Sequence, residues 1–384
     1  MLTGLDVLLM DTTQLKGRRV GLLSNSAGIT CDARRNVDAL REAGVNLVAL
    51  FSPEHGFGGA AVAGEVISSS MDRLTGLPIH SLYGETKKPT KEMLKGIDVL
   101  LFDLQDVGVR FYTYTTTLAY ALEACAENDV TLMVLDRPNP ITGTIVEGPV
   151  LDPSYQSFIG HDAIPIRYAM TIGELARYHA VETRGQRTAN GASLQVVAMQ
   201  GWVRDQWFEQ TALPWAAPSP NMPQPHTALF YPGMGLAGEG ASCSIGALTP
   251  LPFERIGAPW LDGDVLANKM NALALAGVRF RVTSFVPTAK HYAYADQVCY
   301  GVQLHVIDRV AFRPVRVALH LMQVIRGLWP DQWVWNARHF DLLMGNGETR
   351  AQLDNGARVD DIVQSWRAGQ HEFEARRQAC LLYE

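Results

Sequence analysis

No apolar run in this 384-residue chain approaches the roughly 20 residues needed to cross a bilayer. The opening residues, Met1-Leu2-Thr3-Gly4-Leu5-Asp6, lack the basic stretch, apolar stretch and cleavage site of a secretory leader, so the chain as written reads as cytoplasmic with no membrane partner. Positive charge is scarce. Thirty-three Lys and Arg stand against 39 Asp and Glu, a net charge of −6, which withholds the field that displaces counterions from a phosphate backbone and argues against nucleic acid. The five cysteines, Cys31, Cys125, Cys243, Cys299 and Cys380, are odd in number and form no CxxC or Cys/His cluster, which points to free thiols, mostly buried. The histidines His80, His161, His179, His291 and His305 stand apart without metal-ligand spacing, so neither a metal nor another cofactor is expected.

Nucleotide and serine-hydrolase signatures are absent too. The segment Asn25-Ser26-Ala27-Gly28-Ile29-Thr30 carries neither GxGxxG nor GxxxxGK[ST], and there is no GxSxG. What is present is an ordinary globular balance, 47% apolar and 19% charged, over a length that suits two domains.

In the first half, short runs rich in β-branched residues alternate with longer helical patterns, as in a parallel sheet covered by helices. Strands are expected at 19–24, 46–52, 98–103 and 131–136, and helices at 33–43, 91–96, 115–128 and 171–183, the last opening with a Thr171–Glu174 capping box. This predicts a Rossmann-like α/β domain over 1–213. Five prolines within Pro214–Pro225 exclude regular structure and mark a boundary or an ordered crossing. Beyond a glycine-rich stretch at 233–246, strands near 278–285 and 298–307 and helices near 264–276, 314–327 and 360–367 predict a smaller α+β domain over 214–384 that closes a cleft.

Open α/β sheets bind ligands beyond the carboxyl ends of their strands, and polar or glycine-rich residues gather there. Glu54 and His55 follow the second strand with Gly56-Phe57-Gly58-Gly59. The third opens the constellation Asp103-Leu104-Gln105-Asp106-Val107-Gly108-Val109-Arg110-Phe111-Tyr112-Thr113-Tyr114, whose two carboxylates, amide, guanidinium and rings suit sugar hydroxyls and sugar faces. A salt-bridged helix start pairing Asp106 with Arg110 is the plainer alternative. The fourth is followed by Arg137-Pro138-Asn139-Pro140, either a positioned loop or a structural turn. From the second half, Asn221 lies among prolines and Glu239 between glycines. Paired carboxylates make glycoside hydrolysis possible, since one group protonates the leaving oxygen while another stabilises or attacks the oxocarbenium-like centre.

Several segments together resemble the NamZ-type exo-β-N-acetylmuramidases of peptidoglycan recycling. They include Gly17-Arg18-Arg19-Val20-Gly21-Leu22-Leu23-Ser24-Asn25, Leu50-Phe51-Ser52-Pro53-Glu54-His55-Gly56-Phe57, Ser81-Leu82-Tyr83-Gly84-Glu85, Leu135-Asp136-Arg137-Pro138-Asn139-Pro140 and Pro218-Ser219-Pro220-Asn221-Met222-Pro223. The resemblance implies an α/β domain, a smaller second domain, and an interdomain cleft that releases terminal N-acetylmuramic acid from peptidoglycan-derived saccharides. It makes Glu54 the catalytic residue. Where the family usually reads Glu-Gly-Thr-Asn and Gly-Arg-Gly-Thr, this chain has Glu239-Gly240-Ala241-Ser242 and Gly246-Ala247-Leu248-Thr249. The Asn and Arg replaced there are groups that could hold a carboxylate such as the lactyl group.

The expectation is therefore an exo-acting glycosidase with Glu54 as general acid and Asp106 or Glu239 as second carboxyl group. Asn25, His55, Gln105, Arg110, Tyr112, Arg137, Asn139 and Asn221 are the expected sugar contacts. A metal-dependent hydrolase built on Glu54, His55, Asp103 and Asp136, and a muropeptide-binding protein without turnover, are the rivals. The sequence is silent on oligomeric state.

Overall fold

The structure, a computed structural model, describes residues 1–61, 64–182, 194–290 and 292–384. The first part runs α1 (Gly4–Met10), β1 (Val20–Ser24), α2 (Asn36–Glu42), β2 (Leu47–Ser52), β3 (Ser70–Met71), β4 (Pro78–Ser81), α3 (Lys91–Leu94), β5 (Val99–Asp103), α4 (Tyr114–Glu127), β6 (Thr131–Leu135), β7 (Glu147–Val150), β8 (Pro165–Arg167), α5 (Ile172–Glu182) and β9 (Leu194–Val197). The second runs α6 (Thr227–Glu239), β10 (Arg255–Ala258), α7 (Gly263–Ala272), β11 (Val278–Phe285), β12 (Cys299–Val306), α8 (Pro314–Leu328), α9 (Ala337–Met344), α10 (Glu348–Asp354), α11 (Val359–Ser365) and α12 (Arg367–Arg377).

Seven strands form one sheet in the order β3-β4-β2-β1-β5-β6-β9, parallel throughout except for the short edge strand β3. The inner strands β1 and β5 are buried at every residue, because helices cover both faces of a parallel sheet. This is the Rossmann-like architecture expected. The second part holds a three-stranded antiparallel sheet, β10-β12-β11, packed with helices, and β7 and β8 form a separate pair. One apolar core continues from the first part into the second. Among the described residues no helix is long and apolar enough to cross a membrane.

The expected strands and helices of the first half are present, with ends shifted by a residue or a few. The capping box is formed: Thr171 Oγ1 accepts from Glu174 N at 3.2 Å while Glu174 Oε2 accepts from Thr171 N at 3.0 Å. The helix it opens is described to Glu182, and Thr183 lies outside the described residues. The helix expected from residue 33 starts at Asn36, because Ala33 takes a left-handed φ of +65°. The glycine-rich stretch hides α6, which contains Pro232, Gly233, Gly235 and Gly238. Glycine is needed there: a Cβ on Gly233 would sit 2.0 Å from the Pro314 carbonyl oxygen, so close packing against α8 outweighs the cost of glycine inside a helix.

The chain returns at its end to the first part. Leu382 N donates to Glu174 Oε1 at 2.8 Å, and the Tyr383 hydroxyl donates to Asp136 Oδ2 at 2.6 Å. The cysteines are free, four buried and Cys31 exposed.

Candidate active site

A cleft of about 480 Å³ opens between the two parts, roomy enough for a sugar residue. Glu54 stands at its base, just after β2, at 7% exposure. Its Oε2 accepts from the Thr113 hydroxyl at 2.7 Å and its Oε1 from Gly64 N at 2.9 Å, so both oxygens are oriented. His55 follows with φ of +71° and donates Nδ1–H to the Ala61 carbonyl at 2.8 Å. That hydrogen bond holds the backbone in a conformation that few non-glycine residues adopt.

Tyrosines wall the cleft. Tyr83, Tyr112, Tyr231 and Tyr292 line it, with Tyr112 packed edge-on to Tyr114 at 4.6 Å and Phe111 to Tyr231 at 5.1 Å. Burial, reinforced in each case by the negative charge of Glu54, raises the affinity of all four hydroxyls for their protons. They remain neutral O–H groups, suited to sugar hydroxyls, on rings suited to sugar faces.

The second part supplies the opposite wall. Glu239, the last residue of α6, accepts from the Tyr292 hydroxyl at 3.5 Å, and its Oε2 lies 3.3 Å from His339 Nε2 of α9. Asn221, from the proline-rich crossing, lines the cleft while its Oδ1 accepts from Leu248 N at 2.8 Å. That contact reaches the Gly246–Thr249 turn, in which this chain departs from the expected pattern. The crossing is ordered: the Pro218 carbonyl accepts from Tyr114 Oη at 2.6 Å and Asn25 Nδ2 at 3.1 Å.

The structure thus gathers Glu54, His55, Tyr112, Asn221 and Glu239 around one space, and it places six other expected residues elsewhere. Asn25 ties Tyr114 and Pro218 beneath the cleft wall. Arg110, fully buried, donates to the carbonyls of Pro149, Ile164 and Leu343 and does not meet Asp106. Burial lowers its pKa to about 9, still protonated at neutral pH. Asp106 instead accepts from the Tyr168 hydroxyl and from Gly108 N at 2.6 Å, and burial, offset by these donors, raises its pKa to about 6. Asn139 braces the backbone, donating to Met170 O and accepting from Ile141 N; Gly108 is left-handed against it, where a Cβ would meet Asn139 Oδ1 at 2.4 Å.

Gln105 and Arg137 border a separate cavity of about 10 Å³, room for about one water and no sugar. Gln105 donates to the carbonyls of Asp106 and Pro138. Arg137 pairs with Asp103 at 2.6 Å, and Asp103 also accepts from Asn36 Nδ2 at 2.7 Å. Side chains of the protein itself therefore fill the crevice between the ends of β1 and β5, where the strand order reverses. The rival metal set is dispersed by the same contacts: Asp103 is spent on Arg137, and Asp136 on Thr171, Gly173 and Tyr383.

Cleft residues not among the expected acids and sugar contacts are Tyr83, Thr113, Ser219, Tyr231, Tyr292, Asn336 and His339. Tyr83 had a signal: it follows β4, an overlooked strand, by two residues. His339 and Tyr292 had none, since only the tertiary fold brings them to the cleft.

The family models for the N-terminal and C-terminal parts of the exo-β-N-acetylmuramidase NamZ match residues 20–226 and 229–383. The chain belongs to the NamZ family. It is similar, at 46% identity over 99% of its own length and 91% of the other protein's, to the peptidoglycan β-N-acetylmuramidase NamZ of Bacillus subtilis strain 168. Two crystal structures of DUF1343-family proteins from Bacteroides fragilis NCTC 9343 share the fold. One superposes with a TM-score of 0.92 at 38% identity and the other with 0.80 at 30%, each over 100% of this chain and 99% of theirs.

Proposed function

We propose that this NamZ-family protein is an exo-acting glycosidase that releases terminal β-linked N-acetylmuramic acid from peptidoglycan fragments, with Glu54 as the proton donor. The observation that carries this reading is Glu54 itself, held at both oxygens at the base of a tyrosine-lined cleft that also contains Glu239. A hydroxyl both donates and accepts, so Thr113 can rotate to receive a proton held on Oε2, and Glu54 keeps this contact in either protonation state. In the reaction the carboxyl proton passes to the glycosidic oxygen, the bond from C1 to that oxygen breaks, and water completes the sugar. Glu239 is the carboxylate available to receive the proton of that water; participation by the 2-acetamido group of the substrate is the other route.

His55, Tyr112 and Asn221 are proposed as sugar contacts, and the division between the two parts is placed at 213/214, where the proline-rich crossing begins. A chromogenic β-N-acetylmuramide and its N-acetylglucosamine counterpart, each incubated with wild type and Glu54→Gln, test the proposal. The muramide is hydrolysed by wild type and spared by the variant. Hydrolysis of neither substrate by wild type overturns the assignment, and full activity of Glu54→Gln removes Glu54 from its role.

A further inference from the structure

Two residues beyond Ile159, which lines the cleft, the connection between β7 and β8 carries His161 and Asp162. His179 of α5 reaches them from the neighbouring helix. Its Nδ1 lies 2.7 Å from Asp162 Oδ1, and His161 Nδ1 lies 3.3 Å from the same oxygen. One ligand atom from each of the three residues falls within 4.8 Å of the other two. The side chains are 13%, 9% and 1% exposed for His161, Asp162 and His179.

We propose that His161, Asp162 and His179 bind one divalent transition-metal ion of the zinc type and that the ion braces the β7–β8 connection against α4 and α5. A tetrahedral zinc with ligands at about 2.0–2.1 Å sets those atoms roughly 3.3 Å apart, and the two imidazole nitrogens stand 2.7 and 3.3 Å from Asp162 Oδ1. Two imidazoles and one carboxylate suit zinc, nickel or cobalt, whereas magnesium and calcium take all-oxygen sets. The surroundings are also those of a metal site. Glu123 Oε1 of α4 lies 3.4 Å from His161 Nε2, on the side of the ring away from Asp162, and Lys88 Nζ holds the other Glu123 oxygen at 3.1 Å. A carboxylate behind a histidine fixes the tautomer that leaves the opposite nitrogen free for the metal.

Imidazole binds a metal only in its neutral form, so metal competes with protons for these histidines and binding weakens as pH falls. The ion would steady one wall of the cleft. Phe158, in the same connection, packs against Tyr83 at 5.8 Å and Tyr120 at 5.9 Å with Lys87 Nζ 4.0 Å above its ring.

The test is calorimetric titration of the EDTA-stripped, dialysed full-length protein with zinc chloride, with melting temperature as a second readout. Wild type takes up one equivalent at about pH 7.5, melts higher when loaded, and binds more weakly near pH 6; magnesium chloride does neither. His161→Gln, at the most exposed of the three positions, stays folded by circular dichroism and loses at least about 100-fold in affinity, while Glu123→Gln loses about tenfold. Asp162→Asn provides a second, independent removal of a ligand. Failure of wild type to bind an equivalent, or equal affinity in wild type, His161→Gln and Asp162→Asn, overturns the proposal and leaves a histidine–aspartate ion-pair cluster.

Discussion

Glu54 and Asp136 look alike in the sequence, each an acid just past the end of an apolar parallel strand, yet they meet opposite surroundings. Glu54 faces the cleft, where the hydroxyls of Thr113 and Tyr83 and the backbone N–H of Gly64 meet it. Asp136 is fully buried and accepts from Thr171, Gly173, Arg137 N and the Tyr383 hydroxyl, so that it anchors the end of the chain to the sheet. The strand end delivers an acid to the edge of the sheet in both cases. What lies above that edge decides the role: at β2 the second part stands back and leaves a cavity, whereas at β6 the C-terminal tail closes over the carboxylate.

The sharpest way to break this comparison is Glu54→Gln. With the proton donor gone and the shape kept, kcat for a β-N-acetylmuramide falls by about 10²–10⁴-fold while the melting temperature stays near wild type. Loss of stability without loss of turnover would make Glu54 the structural acid of the two. Arg137→Ala probes the other side. Its partner Asp103 is wholly buried, and removing one member of such a pair costs about 3–5 kcal/mol, read by denaturant unfolding. The folded fraction keeps its KM, and a raised KM would return Arg137 to the sugar contacts.

Much of the fold was legible because parallel strands announce themselves as buried β-branched runs and α5 as a capping box. The helix α6 was not, since its Gly233 answers to α8, more than 70 residues away in sequence, and local propensity carries no trace of that contact. The site was half legible for a similar reason. Strand-end position selected Glu54, His55 and Tyr112, which line the cleft, and also Arg110, Asn139 and Arg137, whose polar atoms are consumed by carbonyls or by Asp103. Polar residues at strand ends serve two tasks, holding loops and holding ligands, and only the partners distinguish them. His161 and His179 failed the opposite way: they lie on different elements, so spacing along the chain hid a cluster that the fold assembles. His291, grouped with them as isolated, lies outside the described residues.

A smaller effect separates orientation from chemistry in the cleft. Thr113→Val removes the hydroxyl from Glu54 Oε2 with little change in volume, and Glu54 keeps Gly64 N and the Tyr83 hydroxyl. Turnover falls by about tenfold, equivalent to about 1.4 kcal/mol in the barrier, with KM nearly unchanged. Thr113→Ser, which restores the hydroxyl, recovers most of that loss. Failure of serine to rescue would assign the defect to packing of the threonine methyl group.

The smallest effect lies in the pH dependence of stability at Asp136. Burial raises its pKa from 3.8 to about 7, against the donors Tyr383, Thr171 and Gly173, so in the folded protein the carboxyl keeps its proton where the unfolded chain has lost it. The stability this provides is complete below about pH 4 and is lost as pH rises through about 7, because the unfolded state binds fewer protons over that interval. Asparagine imitates the protonated acid: its oxygen can serve Gly173 and Arg137 N, and its amide can donate to the hydroxyls of Thr171 and Tyr383. Asp136→Asn therefore gains on wild type between pH 5 and 8 by on the order of 1 kcal/mol, measured by denaturant unfolding at several pH values, with kcat unchanged. The same series on Glu54→Gln reads the other acid through the pH–rate profile, so a stability slope that followed Glu54 in place of Asp136 would exchange the roles assigned to the two strand ends.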